Sequence, residues 1–279
     1  MAENIIRTIH LFPRLDQHLI EALKSLNEED WNKPTLAKKW TVKDVASHLL
    51  DGNIRVISIY RDNFFGEAPP EIRSYQDLLD FLNELNGSWV KATRRMSPAL
   101  LTDLLESTGK EYSRELEKQD LFADAIFAVS WAGEDVSKNW FHIAREYTEK
   151  YHHQMQIREA VGTTKEIMTK ELFHPFIHTL LMGLPHTYRN IEAAAQSIVK
   201  IEISSDAGGE WFLYRTDNRW ALTVNIPVGE IVSSVVLSPD TAWKLFTKGI
   251  TVEHARKEVT IKGSVEIGST ALSMIAVMA

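Results

Sequence analysis

Trp40-Thr41-Val42-Lys43-Asp44-Val45-Ala46-Ser47-His48-Leu49 is the stretch on which the fold turns. Thr41 with Asp44 three residues later has the layout of a capping box, Asp standing where Glu or Gln is usual. Val45, Leu49, Val56 and Ile59 then recur at helical spacing, so the pattern predicts a helix running to about Phe65. Gly66 and the Pro69-Pro70 pair stop it. His48 lies on the edge of the apolar stripe, where a single histidine reads first as buried and hydrogen-bonded rather than as a ligand.

Working outward, the chain before and after this helix reads the same way. Asn4 to Leu26 carries apolar residues at intervals of three and four and ends at the polar turn Asn27-Glu28-Glu29-Asp30. Helices are expected over Ser74 to Met96 and over Pro98 to Lys118, the latter with a break at Gly109. After a less regular stretch, Leu121 to Glu134, a long helix spans Asp135 to Ala160, with Gly162 as its C′ glycine. Long helices with little strand character call for an antiparallel bundle.

The pattern changes past residue 162. Lys165 to about Tyr188 is still helical, interrupted at Gly183-Leu184-Pro185. From Val199 the residues alternate, with Val199, Ile201 and Ile203 on one face and Lys200 and Glu202 on the other. Strands are expected at Trp211–Tyr214, Trp220–Ile226, Val232–Leu237 and Val259–Lys262, with Asp217-Asn218 as a hairpin turn. Ser238-Pro239-Asp240 starts a short helix, Gly249 ends it, and Val265 to Met278 reads as a last helix. The fold class is therefore α plus α+β: an N-terminal antiparallel helical bundle followed by a smaller α+β domain.

Composition narrows the chemistry. The 279 residues carry a net charge of −7, against the basic face of a nucleic-acid binder and against an acidic membrane leaflet. No apolar run approaches the ~20 residues of a membrane span, and the Met-Ala-Glu-Asn start lacks a signal layout, so the expected compartment is the cytoplasm. With no cysteine, thiol chemistry needs a thiol from outside the chain, and a metal must be held by His, Asp and Glu.

The densest such cluster is on the Asp135–Ala160 helix. His142, Glu146, Glu149 and His153 share a stripe, and Glu149 and His153 stand one turn apart, ~6 Å along the axis. His152 points ~100° away and is the poorer candidate. The opposite face carries Trp140, Ala144, Tyr147 and Tyr151, so spacing alone also allows a plain solvated stripe. Trp211, Phe212, Tyr214, Trp220, Trp243 and Phe246 read as core, with a lipid-like cavity as the rival reading.

Trp40–Leu49 resembles the signature that opens the second helix of the DinB-like bundle superfamily, and more closely that of the mycothiol-dependent maleylpyruvate isomerase family. Arg145-Glu146-Tyr147-Thr148-Glu149-Lys150-Tyr151-His152-His153-Gln154-Met155-Gln156-Ile157-Arg158 is similar to that family's second metal motif, Glu-x-x-x-His before Ile-Arg. Ser238–Gly249 resembles its smaller domain, related to sterol-carrier folds. The resemblance implies a DinB-like metal-binding bundle over residues 1–162 and a sterol-carrier-like domain over 163–279. It implies a metal held by His48, Glu149 and His153; DinB-type relatives often have His where this chain has Glu149. That donor set suits Zn²⁺, and Ni²⁺ or Fe²⁺ also fit, with positions left open as in catalytic sites.

The family's chemistry uses a low-molecular-weight thiol that the metal converts to thiolate; addition to an activated double bond, rotation and elimination give the other isomer. The expected function is thus a thiol-dependent isomerase or transferase whose partners are a small electrophilic substrate and the external thiol. The rivals are a non-catalytic metal-bound protein that binds a ligand or partner, and a lipid-binding protein working through the C-terminal domain. Arg145, Arg158 and Arg55 are candidates to attract a substrate carboxylate, with solvated helix-face charge as the simpler reading of each.

Overall fold

A computed structural model describes residues 5–277. The Met-Ala-Glu-Asn start and the expected end of the last helix at Met278 lie outside the described residues. Contacts divide the chain into two compact units. One comprises Thr8–Asp120 and Glu149–Thr164; the other comprises Leu121–Thr148 and Lys165–Val277 together with the residues up to Arg7.

The first unit is helical. A 3₁₀ turn, Ile9–Leu11, leads into α1, Phe12–Ser25. The helix begins well after Asn4 because Pro13 lacks an N–H and would clash with the carbonyl four residues earlier, so it fits only in a first turn. The polar turn expected at Asn27–Asp30 is instead the cap of a one-turn helix, α2, Glu28–Trp31, which buries Trp31.

The capping box at Thr41 forms as expected. The Asp44 amide donates to Thr41 Oγ1 at 3.3 Å and the Thr41 amide to Asp44 Oδ2 at 3.1 Å, opening α3, Val42–Tyr60. This helix stops short of Phe65. Asn63 adopts φ +52°, and Phe64 and Phe65 are exposed, so no core burial sustains another turn.

Helices α4, Tyr75–Thr93, and α5, Pro98–Glu117, follow, each started by a serine cap. Helix α5 runs unbroken through Gly109, whose role is close packing: a Cβ there would lie 2.6 Å from Asp16 Oδ2. Leu19, Leu23, Val45, Leu49, Leu101, Leu105 and Ile157 meet in the core of this unit. Ile157 comes from α6, Asn139–Val161, whose C-terminal part belongs to the bundle. Asp124 and Lys138 form an isolated β-bridge, so Lys138 is committed to that pairing and α6 starts after it, past the expected Asp135. Gly162, at φ +79°, ends it, and the Thr163 amide reaches back to the Arg158 carbonyl at 2.9 Å.

The second unit is built on a five-stranded sheet of order β3-β2-β1-β4-β5. The strands are β1, Ser197–Ile203; β2, Gly209–Arg215; β3, Trp220–Thr223; β4, Glu230–Leu237; and β5, Thr260–Gly263. Only the β1–β4 pairing is parallel. Val199, Ile201 and Ile203 are buried while Lys200 and Glu202 are half-buried, as the alternation requires. β3 ends before the expected Ile226 because Asn225 turns back onto Thr223 Oγ1 at 3.1 Å.

Helices α7, Lys170–Leu181, and α8, Leu184–Thr187, precede the sheet. Helices α9, Pro239–Phe246, α10, Val252–Ala255, and α11, Val265–Ser269, follow β4 and β5. The helix expected to Met278 gives way to a 3₁₀ turn, Thr270–Ser273, and then to extended chain at Met274. The reason is burial that alternates there: Leu272, Met274 and Ala276 are inside, Ser273 and Ile275 outside. Of the aromatics expected in the core, Trp211, Phe212, Trp220, Trp243 and Phe246 are buried, whereas Tyr214 is only half-buried. Among the described residues no helix is long and apolar enough to cross a membrane.

Candidate metal centre

Two helices of the bundle unit supply the side chains. α3 carries His48; the C-terminal part of α6 carries Glu149, His152 and His153. Glu149, His152 and His153 each place one ligand atom within 4.8 Å of the other two, the one such group among the described residues. His153 Nε2 is 3.6 Å from Glu149 Oε2. That is long for a hydrogen bond and close to the ~3.4 Å edge of a tetrahedron with ~2.1 Å metal–ligand bonds.

His48 comes in edge-on. Its ring centroid is 4.6 Å from that of His153 at an interplanar angle of 77°, and Trp40 packs on it at 5.0 Å. His48 Nδ1 is sealed from solvent with no hydrogen-bond partner. His48 itself stands outside the group whose ligand atoms lie within 4.8 Å of one another, so of the expected ligands the structure brings Glu149 and His153 together and packs His48 against His153. Its unpartnered buried nitrogen is a polar atom that a bound cation would satisfy. The expectation of a hydrogen-bonded His48 therefore does not hold for that atom.

The protonation pattern suits metal binding. Burial, followed by the nearby His153, holds the His48 ring far below its ordinary range, at about 3; Glu149 opposes this and His152 and Arg55 add to it. His48 is thus neutral at physiological pH. His153 Nδ1 lies 2.9 Å from Gln156 Oε1. An amide oxygen only accepts, so Nδ1 carries the proton and, in the neutral ring, Nε2 presents its lone pair on the Glu149 side.

Helix-face geometry places His152 away from the cluster, yet it belongs to the group: the His152 and His153 rings lean together with centroids 3.9 Å apart. Its reach depends on rotamers, which spacing does not encode. Spacing does not single out Trp40, whereas Gln156, at i+3 from His153, carries a readable signal. Conversely, His142 shares the stripe but not the group; its Nδ1 accepts from Arg145 at 2.8 Å.

The three arginines separate. Arg158 is buried and donates to the His18 carbonyl at 2.8 Å, so it is a structural tie rather than a carboxylate trap. Arg145 bonds His142 and pairs with Glu146 at 3.0 Å. Arg55 is 43% exposed, 3.9 Å from Asp51, and its charge is felt at His48.

Buried neutral histidines make the fold acid-sensitive. Desolvation brings His142 to about 4, with Arg145 adding to the effect. Its folded pKa lies below the unfolded ~6.5, so the unfolded chain binds the proton first as pH falls. Stability is therefore full above pH ~6.5 and drains away toward pH 4, by on the order of 2 kcal/mol at pH 4.5 from this group. Thermal midpoints at pH 7.5 and 4.5 should show a drop that His142→Gln reduces; an unchanged drop would sink the assignment.

A helical bundle with a buried His/carboxylate cluster, joined to a mixed sheet unit, defines the class. Residues 12–158, more than half the chain, match the mycothiol maleylpyruvate isomerase N-terminal domain family. The protein belongs to that family. The fold is also similar to solved structures of the mycothiol-dependent maleylpyruvate isomerase and of a histidine-to-alanine mutant of it. Each has a TM-score of 0.53 and 13% identity over 92% of both chains, which bears on the fold alone. A search of curated proteins found no match.

Proposed function

We propose that the protein is a metal-dependent, thiol-using isomerase or transferase acting on a small electrophile in the cytoplasm. The metal is held by His48, Glu149 and His153 of the bundle, with His152 beside them. Residues 1–162 act as the metal-binding part and 163–279 as a sterol-carrier-like domain.

The observation that carries this reading is the Glu149–His152–His153 group with the His48 ring packed against His153 and its Nδ1 unpartnered, in a chain of this family. A divalent ion there, Zn²⁺ or else Ni²⁺ or Fe²⁺, supplies a lowered thiol pKa, so that thiolate persists at neutral pH.

The chain's own residues prepare the site. Burial keeps His48 unprotonated, so its lone pair is available without competition from a proton. Gln156 fixes the His153 tautomer, and Trp40 packs at a tilt against His48. The external thiol adds to an activated double bond of the substrate. Rotation about the resulting single bond and loss of the thiol return it unchanged and leave the other isomer.

The test is turnover. A cis-configured, carbonyl-activated alkene is incubated with metal-loaded protein, with and without a small thiol such as mycothiol or glutathione, and isomerisation is followed by ultraviolet absorbance. The proposal expects thiol-dependent turnover that vanishes in His48→Ala. A metal-loaded protein that turns over no such alkene with any thiol would instead be the non-catalytic binder. Gln156→Leu is expected to weaken metal affinity ~10- to 100-fold with the fold intact. Unchanged affinity would show that the Gln156 contact does not orient His153.

A further inference from the structure

A second cluster of chemistry-bearing side chains lies in the sheet unit, separate from the metal group. α7 presents His174 and His178 one turn apart, with ring centroids 6.1 Å from each other. Both rest on Trp211 of β2, His174 stacked at 5.2 Å and 23°, His178 tilted at 6.1 Å. Trp211 is fully buried, and its indole N–H has no hydrogen-bond partner.

His174 Nδ1 lies 2.9 Å from the Gly208 carbonyl oxygen. A carbonyl only accepts, so Nδ1 carries the proton, and in the neutral ring Nε2 is left as an acceptor. The two imidazoles and Pro175 wall an open cleft of about 270 Å³, whose other lining residues are Ile5, Ile6, Arg7 and Val224. Among the described residues Arg7 pairs with no carboxylate, and it is exposed.

Two neutral histidines one turn apart raise the question of a cation, and the surrounding charge answers it. Arg7 lines the cleft, and Lys170 Nζ shares the Gly208 carbonyl at 2.8 Å. Two fixed positive charges repel a metal ion and favour an anion. Burial brings His178 to about 4, so neither it nor His174, also lowered by burial, competes with Arg7 as the charge-selecting group. The remaining walls are apolar. A few convergent polar groups in an apolar cleft are the make-up of a small-molecule site, and the volume falls below the ~300–1,000 Å³ of drug-sized ones.

We infer that this cleft binds a small organic carboxylate with an apolar or aromatic body and a hydroxyl group, the carboxylate on Arg7 and the hydroxyl donating to His174 Nε2. Guanidinium–carboxylate pairing sets the charge preference, and the unprotonated imidazole nitrogen selects for the donor.

The probe is 4-hydroxybenzoate, titrated into the full chain while imidazole C–H resonances are followed by NMR. Resonances of His174 and His178 are assigned with His174→Gln and His178→Gln. Both rings are expected to shift saturably, with affinity reduced ~10-fold in Arg7→Gln and ~10-fold for the neutral 4-hydroxybenzamide. Benzoate, lacking the hydroxyl, binds several-fold more weakly in the wild type and equally to wild type and His174→Gln. The same constant in His48→Ala separates this cleft from the proposed metal centre, so either reading can fail alone. The inference is overturned by the absence of a saturable shift up to ~10 mM probe. Equal binding of the amide, or Zn²⁺ rather than the carboxylate shifting these two rings, overturns it as well.

Discussion

Alanine at His48, Glu149 or His153 is expected to strip the protein of its metal. Purified without added metal or tag-derived histidines, the wild type should carry close to one divalent ion per chain by elemental analysis, and each variant less than about a tenth of that. With the proposed three donors, removing one would leave a two-ligand fragment that cannot compete with water and buffer. His48 is the most informative of the three, because its Nδ1 is sealed and unpartnered. Deleting its imidazole removes a group that otherwise leaves a polar atom unsatisfied in the protein.

His152→Ala should keep at least half the metal, since its Cβ points away from the Glu149–His153 stripe even though its ring leans in at 3.9 Å from His153. Loss from His152→Ala equal to that from His153→Ala would make His152 a ligand and shrink the role of His48. A second readout guards against misfolding. An ion bound only by the folded state adds about 2.7 kcal/mol at 100-fold excess over Kd. Chelator should therefore lower the melting temperature of the wild type and leave His48→Ala where it was.

Lys150→Met should destabilise the bundle by about 3 kcal/mol. Lys150 Nζ meets both oxygens of Asp16, at 2.7 and 2.9 Å, and stands 4.2 Å over the Tyr112 ring. Its side chain is 8% exposed and that of Asp16 is 16% exposed. Methionine keeps the apolar stem but leaves the Asp16 carboxylate uncompensated in a site too dry to hydrate it fully. Asp16→Leu combined with Lys150→Met should recover most of the loss, because replacing both charges removes the desolvation cost with the attraction. Urea unfolding of the two single variants and the double variant measures the coupling. A Lys150→Met variant within about 0.5 kcal/mol of wild type would show that the pair is solvated in practice.

The pair also shows why spacing could not supply everything. From spacing, Gly109 reads as a break in a helix. That reading changes once α1 and α5 pack closely enough that a Cβ on Gly109 would strike Asp16, the partner of Lys150. The capping box at Thr41–Asp44, by contrast, was legible because its bonds join residues three apart, and the C′ role of Gly162 because it depends on the conformation of one residue. Helix α3 ended early for a reason no local rule contains: Phe64 and Phe65 find nothing to pack against.

Residue spacing alone carries the local grammar: the capped starts of α3, α4 and α9, which strand residues face inward, and that Glu149 and His153 stand one turn apart. These follow from backbone periodicity and capping, which act over a few residues. Packing between distant elements sets the rest: His48 of α3 meets His153 of α6 with its Nδ1 unpartnered, His152 leans into the group, and Arg158 turns inward to the His18 carbonyl. It also decided that residues 121–148 sort with the sheet residues, while Glu149–Thr164 sorts with the bundle. The reason is physical. Periodicity fixes the direction in which a side chain leaves its helix, whereas its contacts depend on which distant surface it is buried against and on the rotamer chosen there.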